Sequence, residues 1–261
     1  MNKLSAEKQT EVVKCLVDGV SVRATERITG VHRDTILRLL VKVGAGCERI
    51  LDQKMRGLNC RRIEVDEVWG FIGKKQRRLK VGDDPTFGDV WTFVAIDAES
   101  KLIPVYRIGK RDGDTANAFM ADLASRLENR VQLSVDGLAA YVDATEQAFG
   151  ADIDFAQIIK GYEAEPIGAG RYSPPRVSSV EKNVIAGAPV VALISTSYAE
   201  RSNLNMRMNM RRLTRLTNAF SKKLDNFKAA VALYVAHYNL CRAHQTLKVT
   251  PAMAAGIEPS F

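Results

Sequence analysis

The amino-acid sequence predicts an α/β protein: an all-α helix-turn-helix segment followed by a mixed five-stranded sheet flanked by helices. Three observations predict it. Residues 1–45 carry apolar side chains at helical spacing, punctuated by Gly19, Gly30 and Gly44. From residue 63 the pattern changes to short runs rich in β-branched and aromatic residues, alternating with amphipathic helical stretches. Late in the chain, residues 196–215 (TSYAERSNLNMRMNMRRLTR) are dominated by Leu, Met, Arg and Glu and contain neither Gly nor Pro, which predicts a further helix.

The N-terminal segment, residues 1–45, divides into three helices. Residues 6–18 place Val12, Val13, Leu16 and Val17 at helical spacing behind Ser5 as N-cap, and Gly19 ends the run. Ser21 caps a second helix over 22–29, which stops at Gly30. The third, 32–43, turns Ile36, Leu39, Leu40 and Val43 inward and is expected to end at Gly44. Helix, tight glycine turn, helix is the helix-turn-helix arrangement. In that motif the second helix enters the major groove and its first residues meet base edges. Here those residues are His32, Arg33, Asp34 and Thr35, with Arg38 one turn on and Arg23 before the turn. Arg bonds guanine bidentately, and Thr contacts a base or a phosphate. The expected DNA-contacting set is Arg23, His32, Arg33, Thr35 and Arg38. The plainer alternative is a three-helix bundle used for protein contacts.

Residues 46–62 read as a linker helix. Strands are expected over 63–74, 90–97, 102–109, 131–135 and 155–159, with helices over 115–127 and 138–149 between the later ones. The tract 81–89 reads as a hairpin loop, and Asp97 as the residue that turns the chain after the second strand. Residues 162–189 are rich in Gly, Pro and Ser and read as a long loop, an insertion at about 161–190 in a domain spanning 63–223. A final apolar helix is expected over 227–238, within a C-terminal piece 224–261.

The 261 residues carry a net charge of +8, which suits a polyanionic partner. The charge is clustered. Lys74, Lys75, Arg77, Arg78 and Lys80 form one acid-free run, and seven basic residues without an acid lie between Arg201 and Lys223. Four scattered cysteines, Cys15, Cys47, Cys60 and Cys241, form no C-x-x-C pair, so a zinc knuckle is not expected. No secretory pattern opens the chain, and the longest apolar run is far below the roughly 18 residues a membrane span needs. The expectation is a cytoplasmic protein with reduced thiols.

Three carboxylates stand on suitable elements: Asp66 inside the first strand, Asp136 at the end of the fourth, and Glu200 at the head of the late helix. An Asp within a strand is unfavourable by propensity and by burial, so it calls for a reason. By alternation Asp66 shares its face with Glu64, and Glu67 points the other way. Asp136 before Gly137 also suits a plain turn. On the late helix Glu200, Asn203, Arg207 and Arg211 fall on one stripe, with Leu204, Met208 and Leu213 nearer the opposite side. Carboxylates from separate elements can hold two divalent ions for phosphodiester chemistry.

The segments Val65-Asp66-Glu67-Val68-Trp69-Gly70, Val135-Asp136-Gly137 and Ala199-Glu200-Arg201-Ser202-Asn203-Leu204-Asn205-Met206-Arg207 resemble DDE-type transposases, the insertion-sequence-one family most closely. The tail His237-Tyr238-Asn239-Leu240 with Thr250-Pro251-Ala252 is similar to transposase C-termini. The resemblance implies a ribonuclease-H-like catalytic domain behind the helix-turn-helix. It implies Asp66, Asp136 and Glu200 as catalytic ligands of two Mg²⁺ ions, with Mn²⁺ as substitute, and Asn203, Arg207 and Arg211 as DNA-backbone contacts. Its implied partner is double-stranded DNA, both the element's terminal inverted repeats and a target, bound by a homodimer or higher oligomer. Family members with a Cys-rich finger ahead of the helix-turn-helix find no counterpart cysteines here, so end recognition is expected to rest on the helices alone. Other classes stay open: a helix-turn-helix transcriptional regulator, a nuclease of the same fold, or a catalytically inert transposase-derived DNA-binding protein.

Overall fold

A computed structural model describes residues 4–163, 176–214 and 218–259. The first two helices form where their caps place them. Ser5 accepts a hydrogen bond from Lys8 N at the head of α1 (Ala6–Val17), and Ser21 accepts one from Ala24 N at the head of α2 (Val22–Thr29), each at 3.2 Å. Gly30 closes α2 with φ 69°, a left-handed conformation that glycine adopts without steric cost. After a short turn, His32 caps α3 (Arg33–Lys54).

α3 does not stop at Gly44. It runs through Gly44 and Gly46 for 22 residues, so the expected break is absent and the expected linker helix at 46–62 continues α3 as far as Lys54, with 55–61 irregular. Gly44 is a contact residue rather than a terminator. A Cβ there would lie 2.6 Å from Cα of Ala229, on the apolar helix α7 (Leu224–Leu240) that crosses it. Close helix approach therefore outweighs the roughly 1 kcal/mol that a glycine costs inside a helix. Leu40 joins Ala229 and Leu233 in one cluster, which fastens the three-helix unit to the rest of the chain.

The sheet has six strands in the order β3-β2-β1-β4-β5-β6. They are β1 (Arg62–Ile72), β2 (Gly88–Asp97), β3 (Tyr106–Gly109), β4 (Gln132–Asp136), β5 (Asp154–Glu163) and β6 (Arg176–Ala186). β1, β2 and β3 form an antiparallel meander; β4 joins β1 and β5 in parallel, and β6 pairs antiparallel to β5. Asp97 closes the turn after β2 by accepting from Ser100 N at 2.8 Å. The sixth strand corrects the expected loop at 162–189. Its Ser and Lys content masks a β-branched series, Val177, Val180 and Val184, that pairs with β5 and leaves these side chains exposed. The part of that tract at 164–175 lies outside the described residues.

Helices α4 (Gly113–Ala124) and α5 (Ala140–Phe149) lie between the later strands, with Asp112 capping α4 through Thr115 N at 3.0 Å. Phe93, Phe119 and Tyr141 pack together on that side. On the other face of β1, a Cβ at Gly70 would come within 3.4 Å of the Phe227 ring on α7. α6 (Ser197–Asn209) packs on β1 and β2, and a short α8 (Pro251–Ala254) follows α7. α6 is shorter than expected: Met210 is extended, and Arg211 and Arg212 lie in the turn beyond it. Its buried side is Ala199, Ser202, Asn203 and Met206; of the expected apolar side, Leu204 and Met208 are exposed, and Leu213, beyond the helix end, is buried. Among the described residues, no helix is long and apolar enough to cross a membrane.

Candidate active site

Pairing between β1 and β4 ends at Val65 opposite Val135, and the next residue on each strand is an aspartate. Asp66, in the interior of β1, and Asp136, the last residue of β4, therefore meet at the carboxyl end of β4, the kind of place where α/β sheets open a crevice. Asp66 accepts from Glu67 N through Oδ1 at 2.8 Å and from Asn203 Nδ2 through Oδ2 at 2.7 Å. Asp136 accepts from Leu138 N at 3.1 Å and from Arg111 Nη2 at 3.3 Å. Glu67 completes the group. It accepts from the Tyr141 hydroxyl of α5 and from Arg111 Nε at 3.2 Å. Carboxylate oxygens of Asp66, Glu67 and Asp136 all lie within 4.8 Å of one another.

Like charges this close, away from water, disfavour ionisation. Burial, then the neighbouring Asp136, pushes Asp66 up to about 6 from 3.8, against the opposing hydrogen bonds from Glu67 N and Asn203. Burial and Asp136 likewise push Glu67 up to about 7, more than Tyr141 and Arg111 draw it down. Arg111, stacked over the Trp91 ring at 5.2 Å, is one positive charge among three carboxylates. An all-oxygen donor set with surplus negative charge suits a hard divalent cation such as Mg²⁺ or Mn²⁺.

The same strand positions α6. Oε2 of Glu64 accepts from Tyr198 N at 2.7 Å and Ala199 N at 3.1 Å, so a distant carboxylate caps the helix where Thr196 supplies no side-chain cap. That anchor aims Asn203 at Asp66. Glu200, also in the first turn, faces elsewhere: it pairs with Lys160 of β5 and accepts from the Thr196 hydroxyl at 2.8 Å. The structure thus groups Asp66 and Asp136 with Glu67, and Glu200 stands beside them outside the group.

The expected DNA contacts separate in the same way. Arg23, His32, Arg33 and Arg38 are exposed, and Thr35 is half-buried and accepts from Arg38 Nη2 at 3.2 Å. Arg211 is exposed and Arg207 half-buried. Asn203, expected on the DNA-facing stripe, is only 3% exposed and donates to Asp66, because the helix face it occupies packs on β1. Three further residues enter the site unannounced. Alternation sends Glu67 to the opposite face, and Arg111, in the loop before α4, and Tyr141, on α5, belong to no motif. A signal existed for Glu67 alone, as the second acid of the Asp66-Glu67 pair.

No protein-family model and no curated protein matches the chain. Among solved structures it is similar to a chain of a piggyBac transposase synaptic complex with hairpin DNA, with 9% identity and a TM-score of 0.41, over 98% of this chain and 73% of that one. A likeness of that grade fixes neither relationship nor chemistry.

Proposed function

We propose that this chain is a DNA transposase of the DDE type, similar to the insertion-sequence-one family, with a ribonuclease-H-like catalytic domain. One observation carries the proposal: Asp66 inside β1 and Asp136 at the end of the adjacent parallel strand β4 sit side by side, Asp66 desolvated and the pair short of positive charge, with α6 packed against them. Asp66, Glu67 and Asp136 have the oxygens to hold a divalent cation, and Glu200 joins them once Lys160 releases it. Bound there, two Mg²⁺ ions, or Mn²⁺ in their place, would offset charge on a phosphodiester and lower the pKa of a nucleophilic water. Asn203 holds Asp66 in the orientation that faces Asp136, and Glu64 holds the helix that carries Asn203. Arg111 offsets charge between Glu67 and Asp136. Arg207 and Arg211 contact the DNA backbone, which sets register rather than sequence. Arg23, His32, Arg33, Thr35 and Arg38 read the element's ends, and two copies pair them.

The test is a DNA carrying the flanks of the chain's own gene, incubated with Mg²⁺ and wild-type protein, Asp66→Asn or Glu200→Gln. Scored products are 3′-end cleavage and joining to a second DNA. Wild-type cleavage and joining, lost in both variants, is the expected result. Cleavage without joining would point to a nuclease. Specific binding with neither reaction would favour a helix-turn-helix regulator or an inert transposase-derived binder, a reading to which the Lys160–Glu200 pair lends weight.

A further inference from the structure

Between the three-helix unit and the rest of the chain runs a groove of about 890 Å³. One wall is the α1–α2 turn and the start of α3, with Arg23 and Arg33; the other is the segment after α6 and part of α7, with Arg211, Arg212 and Lys222. The walls are built to stay close: a Cβ at Gly19 would lie 2.8 Å from the Asn209 carbonyl oxygen. Of the charged residues lining the groove, five are basic and one, Asp34, is acidic, and Asp34 lies 3.6 Å from Arg33.

Two polar groups on the inner side of the groove are poorly served by the fold: Arg212, half-buried, and Tyr234, buried. Arg212 has lost much of its hydration, and burial draws its pKa down to about 10 from 12.5. Among the described residues it has no carboxylate partner, only the Ser221 hydroxyl at 2.8 Å. Burying a guanidinium without an anion is costly, and its fork of donors matches a phosphate. Tyr234 also lines the groove; it is 5% exposed, and its hydroxyl has no hydrogen-bond partner among the described residues.

We propose that this groove is a phosphodiester channel, with Arg212 as its inner anchor and Arg23, Arg33, Arg211 and Lys222 along its rims. Cations on both walls suit a chain of phosphates better than one anion. The channel begins at the first turn of α3 and ends where α6 ends, the helix whose Asn203 holds Asp66. A strand lying in it would tie the base-contacting helix to the carboxylates in fixed register. This inference rests on the DNA-processing reading, and it can be tested without catalysis.

The experiment is fluorescence anisotropy of the full chain with labelled DNA, without divalent cations, across a salt series. The probes are a blunt duplex bearing the gene's flanks, an unrelated duplex, and the flank duplex with a 3′ single-stranded overhang. Arg212→Met should weaken binding to related and unrelated DNA alike, by about tenfold, and lower the slope of log affinity against log salt by about one. Arg212→Lys should restore the slope. The exposed pair Arg211→Gln and Lys222→Gln should lower it by about two, which a folding defect in the Arg212 variant cannot imitate. Equal losses on blunt and overhanging DNA would assign the channel to duplex backbone, and losses confined to the overhang would assign it to a single strand. Unchanged slopes in all variants on both probes would overturn the channel. Altered slopes in the variants, with a wild type that never cleaves DNA, would instead sink the transposase reading and leave the channel standing.

Discussion

Where the end of β4 lies beside the middle of β1, Asp66, Glu67 and Asp136 crowd together with Arg111 as their one ion-pair partner among the described residues, whereas at the head of α6 Glu200 has Lys160 and the Thr196 hydroxyl for itself. The first region stores unfavourable charge, and burial raises the carboxyl pKa values there. The second is neutralised from within the fold. A charge already paired inside the fold needs no outside ion; the buried carboxylate cluster has too few such partners and is the part of the molecule shaped for one. The contrast also assigns Lys160 a task. For Glu200 to act with the cluster, a cation brought by metal or DNA must compete with that lysine.

The largest expected effect comes from removing charge in the cluster. Asp66→Asn or Asp136→Asn should reduce metal-dependent DNA cleavage by about a thousandfold or more, since the cation site supplies several kcal/mol. The same Asp66→Asn should keep or raise the melting temperature of the metal-free protein, because it relieves repulsion; a drop of many degrees would mean that the cluster is a structural network.

Next in size is the pH dependence of metal-free stability. The Asp66 and Glu67 carboxyls titrate higher in the folded chain, about 6 and 7, than their ordinary 3.8 and 4.5. Between those values the folded chain binds more protons than the unfolded one, so their stabilising contribution is complete below about pH 4 and is lost as pH rises through 6 to 7. For Asp66 the loss is on the order of 3 kcal/mol. Thermal melts should therefore show stability falling over that window, and added Mn²⁺ should restore it at about pH 7.5 while doing little at about pH 5. A Mn²⁺ effect of equal size at both pH values would remove the cluster as the binding site.

Lys160→Met should move the head of α6 toward the behaviour of the cluster. Freed of its ion pair, Glu200 should tighten Mn²⁺ binding by a few-fold, measured by calorimetry, since a half-exposed pair is worth at most about 1 kcal/mol. No change would mean that Glu200 never approaches the ion. The smallest effect is expected from Arg111→Gln, which should lower the metal-free melting temperature by a few degrees at neutral pH and leave the metal-loaded protein nearly unchanged. Equal destabilisation of both forms would assign Arg111 a packing role over Trp91 instead.

Much of the chain's local structure is legible in the sequence. Ser5, Ser21 and Gly30 mark helix ends by side-chain caps and a left-handed turn, interactions confined to a few neighbouring residues. The runs around Asp66 and Asp136 are strands, and their aspartates occupy the strand interior and strand end that the patterning implies. Glu200 lies in the first turn of α6 as its spacing requires.

Where the outcome depends on a distant partner, the sequence is silent. Gly44 looks like a helix stop and is a helix–helix contact, because Ala229 supplies the reason from far along the chain. Alternation correctly sends Glu67 to the opposite face from Asp66, yet both faces of a central strand are covered, and the strand-end crevice lets their oxygens meet. Asn203 and Glu200 sit three residues apart on one helix, and only the packing of that helix on β1 and β2 gives Asp66 to one and Lys160 of β5 to the other. Sequence by itself determined which residues can carry charge, cap a helix or extend a strand, since those properties act over one or two turns. The tertiary structure decided which charges are left uncompensated, because desolvation and Coulomb energy depend on distances in space.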